Sequence, residues 1–164
     1  ATGKGGAYLA SNYVWTIGGE VTYTTSVMLP TLSVSPTQFQ VMTGLVSSYA
    51  AVPTTGVWFF YDNTVSANWL LGRGAGSAVY TDSGVAVEAN KFTALSFVTS
   101  ADGSTAEYFI NGTSVGTAKT SMPGRTTAIY PAFWIQKNVD TYTTQKQLYV
   151  DFVQLKKAYT RARW

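Results

Sequence analysis

Hydrophobic and polar residues alternate with a period of two along most of this chain. The alternation is clearest in residues 21–29, 38–46 and 147–155, and residues 57–61 and 69–73 are further apolar segments of strand length. A period of two sends successive side chains to opposite faces of an extended strand, so each segment predicts a β-strand. No stretch combines the 3.6-residue period of a helix with capping residues, so we expect little helix.

Two of these segments also predict which faces are buried. Leu148, Val150 and Phe152 occupy alternate positions in residues 147–155, so they should point inward together. In residues 57–61, apolar side chains occupy both sets of alternate positions. One face of that strand should therefore be core, and the other should be either core or a ligand groove.

Turn signals separate the strands in residues 91–119. Asp102-Gly103 and Asn111-Gly112 tolerate the positive φ angles of tight hairpin turns, and β-branched and aromatic residues flank both dipeptides. We therefore expect an antiparallel meander with a tight turn at each dipeptide.

Other glycine and proline positions predict interruptions of the strands. Residues 82–84, Asp-Ser-Gly, predict a further turn, and the glycine-rich residues 72–76 predict a flexible end to a strand. Pro131 lies within the apolar residues 128–136. Because proline cannot donate a hydrogen bond to a sheet, it predicts an edge strand or a bulge.

About ten short strands spaced near a dozen residues apart are typical of two packed antiparallel sheets. The sequence therefore predicts an all-β, antiparallel two-sheet β-sandwich, with a closed barrel as the alternative. The folded domain should span residues 20–156. Residues 1–19 predict a flexible N-terminal tether and lead-in, because they begin with a glycine-rich segment, and residues 157–164 predict a basic C-terminal tail.

Composition narrows the range of functions. The chain has 164 residues, the length of one ordinary domain, and it contains neither His nor Cys. Their absence removes the usual zinc and copper ligands, the cysteine nucleophile and the Ser-His pair. No apolar run approaches the roughly 20 residues of a membrane helix, so we expect no membrane insertion.

The net charge of +3 is concentrated at the C-terminus. Lys156, Lys157, Arg161 and Arg163 supply four of the eleven cations, which leaves seven cations against eight anions in the rest of the chain. A basic tail is most often simply solvated, so we expect no nucleic-acid partner. Contact of the tail with a neighbouring subunit or with phosphate is the alternative.

Two segments carry a resemblance to a known family. Residues 108–116, YFINGTSVG, have the form aromatic, aliphatic, Asn-Gly, polar, Val-Gly, and residues 149–153, YVDFV, have the form of a closing strand. With the order of strands over residues 20–156, they resemble the concanavalin A-like lectin/glucanase (LamG-like) jelly roll. The resemblance extends to modules of bacteriophage tail fibres and other virion appendages. It implies a host-surface glycan as partner, a homotrimer or other virion subunits, and a location on the virion surface.

The carboxylates do not follow the pattern of the enzymes in that family. Its glycosidases carry paired carboxylates on one strand, because acid and nucleophile must flank a single glycosidic bond. No Glu-x-Asp-x-x-Glu arrangement occurs here, and the His on which lyases of this fold usually depend is missing. We therefore expect no enzymatic activity and no cofactor. Asp62-Asn63 and Asp82-Ser83 offer too few oxygens for calcium, so we interpret them as turn formers and expect no metal.

The candidate ligand surface combines aromatic rings with polar groups. Flat rings stack on sugars, and amide or charged groups bind the hydroxyls. Asn68 and Gln136 are further polar residues near these rings in the sequence. The predicted ligand-binding residues are Trp58, Asn63, Trp69, Arg73 and Trp134.

Three hypotheses for function follow. The leading one is a non-catalytic, lectin-like carbohydrate-binding module of a phage tail fibre or virion surface protein. The alternative is a structural, assembly or capping domain whose aromatic face is a homo-oligomer interface. The third is a glycan-cleaving enzyme with an unfamiliar arrangement of carboxylates.

Overall fold

The computed structural model of this chain describes residues 4–8, 15–35, 37–48, 52–137 and 145–158, the first range for its backbone alone. These residues form eleven β-strands and no helix, and hence no helix able to span a membrane. The strands are β1 (Lys4–Tyr8), β2 (Val21–Met28), β3 (Phe39–Val46), β4 (Thr55–Asp62), β5 (Asn68–Ala75), β6 (Ala78–Ala86), β7 (Thr93–Thr99), β8 (Ala106–Ile110), β9 (Thr113–Ala118), β10 (Tyr130–Lys137) and β11 (Tyr149–Lys157).

The strands form two separate antiparallel sheets, which confirms the predicted sandwich over the barrel. One sheet has six strands in the order β1-β10-β3-β4-β5-β6, and the other has five in the order β11-β2-β7-β8-β9. Strand β1 pairs with β10 within the segment for which the sequence predicted a flexible lead-in. Arg161 and Arg163 of the predicted basic tail lie outside the described residues.

The main core lies between the two sheets. Phe97 and Tyr108 from the five-stranded sheet pack against Phe59 from β4, and Tyr23 stacks on Phe97. The hydroxyl of Tyr23 is 2.6 Å from that of Thr43 in the opposite sheet. Burial raises the pKa of Tyr23 to about 12 against the smaller lowering effect of this hydrogen bond. The two sheets are therefore joined by polar as well as apolar contacts.

The six-stranded sheet carries a second apolar layer on its outer face, the face turned away from the five-stranded sheet. Strand β4 is buried on both faces, because Val57 and Phe59 point into the main core while Trp58 and Phe60 point outward. Val52 packs against this outer layer. The layer consists of Met42, Val46, Trp58, Phe60, Leu70, Ala132 and Trp134.

Gly72 lies where the two layers meet. A Cβ atom at this position would be 2.1 Å from Nε1 of Trp58, so only glycine leaves room for the indole on the outer face. Its carbonyl accepts a 2.6 Å hydrogen bond from the hydroxyl of Tyr108 in the other sheet. Gly72 therefore lies inside β5, and the flexible strand end predicted for residues 72–76 is wrong for that part of the segment.

Asn111 and Gly112 form the predicted tight turn. They are the only residues between β8 and β9, and their φ angles are 51° and 80°. The other predicted turn is longer, because residues 100–105 separate β7 from β8. Gly103 has the expected positive φ of 71°, but the Asp102 carboxylate accepts hydrogen bonds from the Ser100 and Ser104 hydroxyls and widens the loop.

Two bulges overturn other sequence predictions. Residues 82–84 do not form a turn but lie within β6, where pairing shifts between Asn68 and Leu70. The Gly84 N–H donates to the Asp82 carboxylate at 2.7 Å, and this local bond stabilises the bulge. In β11 the pairing shifts between Val150 and Phe152, so Phe152 turns outward and is 45% exposed.

The proline in β10 is tolerated for a reason other than the predicted one. Strand β10 lies between β1 and β3 and is not an edge, and its pairing shows no register shift. The described pairing with β1 begins at Ala132, one residue after Pro131. On the other side, Pro131 is paired with Leu45 of β3, so neither an edge strand nor a bulge accounts for it.

Replacing Gly112 with Val should destabilise the protein by about 1 kcal/mol or more, because a β-branched residue is penalised at positive φ. A Cβ there would meet nothing within 4 Å, so the cost is purely conformational. Urea unfolding measures it, with Thr113→Val as the control on the adjacent exposed strand position. Equal stability of Gly112→Val and wild type would contradict the turn.

Replacing Gly72 with Ala should cost about 1–3 kcal/mol through overpacking against the indole. A double-mutant cycle tests the cause, because the same replacement should cost much less when Trp58→Leu has removed the indole. The free energies of unfolding of the four proteins give the coupling. An unchanged cost in the Trp58→Leu background would show that another contact is responsible.

Candidate functional site

The structure places the predicted ligand-binding residues in different environments. Trp58 and Trp134 lie on the outer face of the six-stranded sheet and are 0% and 2% exposed, whereas Trp69 is 1% exposed in the main core. Asn63 is exposed in the turn after β4. The structure therefore does not bring the five residues together on one surface, and ligand contact through any of them stays a prediction.

Arg73, the fifth predicted residue, has its own structural contacts. Its Nη1 donates to the Thr81 hydroxyl at 2.9 Å, and its Nε donates to the Thr120 carbonyl at 3.3 Å. It is paired with Val57, which points into the main core, so Arg73 lies on the inner side of the sheet. Its guanidinium therefore ties β5 to β6 and to the segment after β9.

A row of polar side chains crosses the outer face at one end of the aromatic layer. Gln136 of β10 pairs with Gln40 of β3, which pairs with Asp62 of β4, so these side chains share the outer face. Asn68 of β5 lies two residues before Leu70 on this face, and Asp82 of β6 pairs with Leu70. Each of five adjacent strands therefore contributes one polar group to this polar row.

Hydrogen bonds order both carboxylates of the polar row. Gln40 Nε2 donates to Asp62 Oδ2 at 2.6 Å, and the Thr64 N–H and hydroxyl donate to the other oxygen. Asp82 accepts from the Ser66 hydroxyl at 2.5 Å and from Asn68 Nδ2 at 2.8 Å. The bond from Ser66 is the largest cause that lowers the pKa of Asp82, so this exposed group is ionised at neutral pH.

The aromatic layer, which lies beside the polar row on the same face, contains polar atoms that have no hydrogen-bond partner. Among the described residues, Trp58 Nε1 and the Tyr80 hydroxyl are buried without a hydrogen-bond partner. Burial raises the pKa of Tyr80, and the nearby indole N–H opposes this, but the two groups do not have hydrogen-bond geometry. Burying a donor without a partner costs free energy of folding. The Trp58 N–H and the Tyr80 hydroxyl are therefore two hydrogen-bonding groups beside the row that the described residues leave unused.

Within the described residues, no group of three or more acidic side chains is arranged to hold a metal ion. The two carboxylates of the polar row come from β4 and β6, with β5 between them. Their oxygens are already occupied by hydroxyl and amide donors. These two carboxylates are therefore committed to hydrogen bonds within the protein.

Sequence reasoning identified Asn68 and Gln136 as polar neighbours of aromatic residues, but it missed the row itself. The row depends on which strands are adjacent, and that order brings β10 beside β3 although they are far apart in the chain. Asp62 was interpreted as a turn former, and it does fill that role through Thr64. Its pairing with Gln40 could not be read from sequence.

Comparisons with known proteins identify the fold. No family model matches the sequence, and no curated protein sequence matches it. Solved structures do match. The carbohydrate-binding module CBM66 from Bacillus subtilis is 11% identical with a TM-score of 0.56, over 85% of this chain and 76% of that one.

Two further structures match over 96% of this chain. The Emp47p carbohydrate recognition domain is 9% identical with a TM-score of 0.67, and 80% of it is covered. An endo-β-1,4-glucuronan lyase from the fungus Trichoderma reesei is 14% identical with a TM-score of 0.65, and 76% of it is covered. The chain has the concanavalin A-like jelly-roll fold. Identities this low show the fold alone.

The comparison with the lyase overturns one sequence prediction. We expected no enzymatic activity, yet an enzyme shares this fold across nearly the whole chain. The prediction rested on a missing motif along one strand and on missing His. A sheet can also place carboxylates from different strands on one face, as it places Asp62 of β4 and Asp82 of β6, so the motif's absence does not exclude catalysis.

Proposed function

We propose that this jelly roll binds carbohydrate through the polar row on the outer face of its six-stranded sheet. The observation that carries the proposal is the row itself, with one amide or carboxylate from each of five adjacent strands. Strands lie about 4.8 Å apart, so the row extends roughly 19 Å from Gln136 to Asp82. That length suits a short oligosaccharide.

The chemistry of the row also suits sugar hydroxyls. Amide groups both donate and accept hydrogen bonds, and carboxylates accept them, so together they can serve a hydroxyl in either role. Gln136, Gln40 and Asn68 are partly exposed and Asp82 is exposed, so these groups are accessible to a ligand. The Asp62 carboxylate is only 4% exposed, so its role in the row is to orient the Gln40 amide. The buried aromatic layer beside them on the same face holds the strands in register and fixes the spacing of the polar groups.

We further propose that the ligand is a host-surface glycan and that the domain belongs to a phage tail fibre or another virion surface protein. The support is the resemblance of residues 108–116 and 149–153 to modules of such proteins, together with the carbohydrate-binding proteins that share the fold. Homo-oligomerisation belongs to the same proposal. The mass of the protein in solution at several concentrations tests it.

The structural alternative needs a different surface from the one first considered. Trp58 and Trp134 are already buried within the single chain, so they are not available to a neighbouring subunit. The exposed large apolar side chains lie elsewhere, among them Phe92, Tyr149 and Phe152. An assembly role would therefore use those residues rather than the outer aromatic layer.

Gln136→Ala should weaken binding to a glycan identified on an array by about 3–10-fold, the equivalent of roughly one net hydrogen bond. Titration calorimetry measures the affinity, and the melting temperature should stay close to that of wild type. Gln154→Ala is the matched control, because Gln154 is exposed on the other sheet. Equal loss in both variants, or no glycan bound at all, would contradict the proposal.

Glycan cleavage is the second candidate, favoured by the carboxylates of the polar row and the fold shared with a glucuronan lyase. An enzyme of this kind should release reducing ends or unsaturated sugars from polysaccharides. The substitution Asp82→Asn should lower the rate of release by about 100-fold or more. Because the pKa of Asp82 is lowered, activity that needs its carboxylate should persist below the usual carboxyl range of about 4. Full activity of Asp82→Asn would contradict a role for this carboxylate.

A further inference from the structure

A shallow cleft lies apart from the polar row, at the end of β11. Its volume is about 550 Å³, and its lining includes Thr16, Ala101, Arg125 and Lys157. No residue of the polar row lines it. The cleft is therefore a second concave site on the molecule, formed by segments that the proposed glycan surface does not use.

Backbone hydrogen bonds join the segments that form this Arg125 cleft. The Gly18 N–H donates to the Arg125 carbonyl at 3.1 Å, and the Gly19 N–H donates to the Ala101 carbonyl at 3.0 Å. The Ala158 N–H donates to the Glu20 carbonyl at 2.9 Å. Four separate stretches of chain are thereby held together, so the cleft is part of the ordered fold.

The cleft is cationic. Arg125 and Lys157 both line it, and none of the described residues of its lining is Asp or Glu. Lys157 Nζ donates to the carbonyl and the hydroxyl of Thr16, each at 3.0 Å, and these bonds fix the ammonium group at the wall. Arg125 places a second positive group on the lining of the same cleft, and a cluster of positive charge attracts an anion.

The Arg125 guanidinium is available to such an anion. Within the described part of the chain, no side-chain hydrogen bond or ion pair involves it. The nearest carboxylate in sequence to the Ala101 wall is Asp102, and that group is held inside its own loop by Ser100 and Ser104. The side chain of Arg125 is exposed, so a ligand can reach it.

The polar groups of the cleft are of the types that bind an oxyanion. A guanidinium presents a planar fork of N–H donors that fits a carboxylate or sulfate through two parallel hydrogen bonds. The hydroxyl of Thr126 also lines the cleft and can donate to a remaining oxygen. A neutral sugar carries no negative charge, so it cannot form charge-assisted hydrogen bonds with Arg125 and Lys157.

We propose that the Arg125 cleft binds the carboxylate or sulfate group of an acidic glycan. This proposal rests on the proposed carbohydrate-binding function and names the class of glycan. The polar row would hold one part of a glycan chain through its hydroxyls, and the cleft would hold an anionic group of the same chain or of a neighbouring chain.

Calorimetry and NMR titration with four probes test the proposal: an oligogalacturonate, a sulfated oligosaccharide, inorganic sulfate and a neutral oligosaccharide. Arg125→Gln should weaken binding of at least one acidic oligosaccharide by about 10-fold, the loss expected for a charged hydrogen-bonded pair. Binding of the neutral sugar should be unchanged. Comparing the two acidic probes decides whether the anion is a carboxylate or a sulfate.

Lys156→Gln is the matched control, because it removes the same charge from an exposed position next to Lys157 that does not line the cleft. It should change binding of the acidic probe less than twofold. Arg125→Lys should lose part of the affinity, because lysine keeps the charge but not the planar fork. Equal effects of Arg125→Gln and Lys156→Gln would overturn the proposal, since they would show attraction by net charge alone.

The outcomes separate this proposal from the one on which it rests. Glycan binding that depends on Gln136 but not on Arg125 would overturn the anion site and leave the carbohydrate-binding function standing. Inorganic sulfate bound at Arg125, without binding of any glycan, would overturn the carbohydrate-binding function and the acidic-glycan assignment together. Acidic-glycan binding lost in Arg125→Gln and kept in Lys156→Gln supports both.

Discussion

The steric fit between Gly72 and the Trp58 indole is the constraint on which the six-stranded sheet depends. The indole occupies the space that a side chain on the neighbouring strand would fill, and the Gly72 carbonyl binds Tyr108 of the other sheet. One residue therefore joins the outer aromatic layer to the main core. Overpacking or loss of this contact would disturb the packing of both layers, because protein interiors are close-packed.

Burial of β4 on both faces distinguishes the six-stranded sheet, which packs against apolar side chains on its inner and its outer side. Phe59 stacks into the main core, while Phe60 contacts Tyr80 and Trp134 on the outer face. Strands fixed from both sides keep the polar groups at their ends at constant spacing. A polar row on such a sheet is preorganised, which lowers the entropy that binding must overcome.

The architecture could be predicted because its signals are local. Period-two alternation and the Asn111-Gly112 turn follow from the covalent geometry of a few neighbouring residues. The errors occurred where a polar side chain bonds its own backbone. Asp82 closes a bulge through the Gly84 N–H, and Asp102 widens a loop through Ser104. The sequence predicts a simple turn at both of these segments. Composition alone does not distinguish these outcomes, because in each of them an Asp or Asn is followed within two residues by a Gly at positive φ.

The candidate site could not be predicted in the same way, because it depends on strand order. Large aromatic residues draw attention in a sequence, but Trp58 and Trp69 are the residues that a sheet buried on both faces needs for packing. The polar row instead uses Gln40 and Gln136, which carry no motif and lie on strands that are adjacent only after folding. The large aromatic rings are therefore used for packing, and the proposed recognition surface consists of amides near strand ends, which no motif marks. On a sandwich of this kind, a search for binding residues should begin with polar residues that share a row across the strands, rather than with the buried aromatic residues beside them.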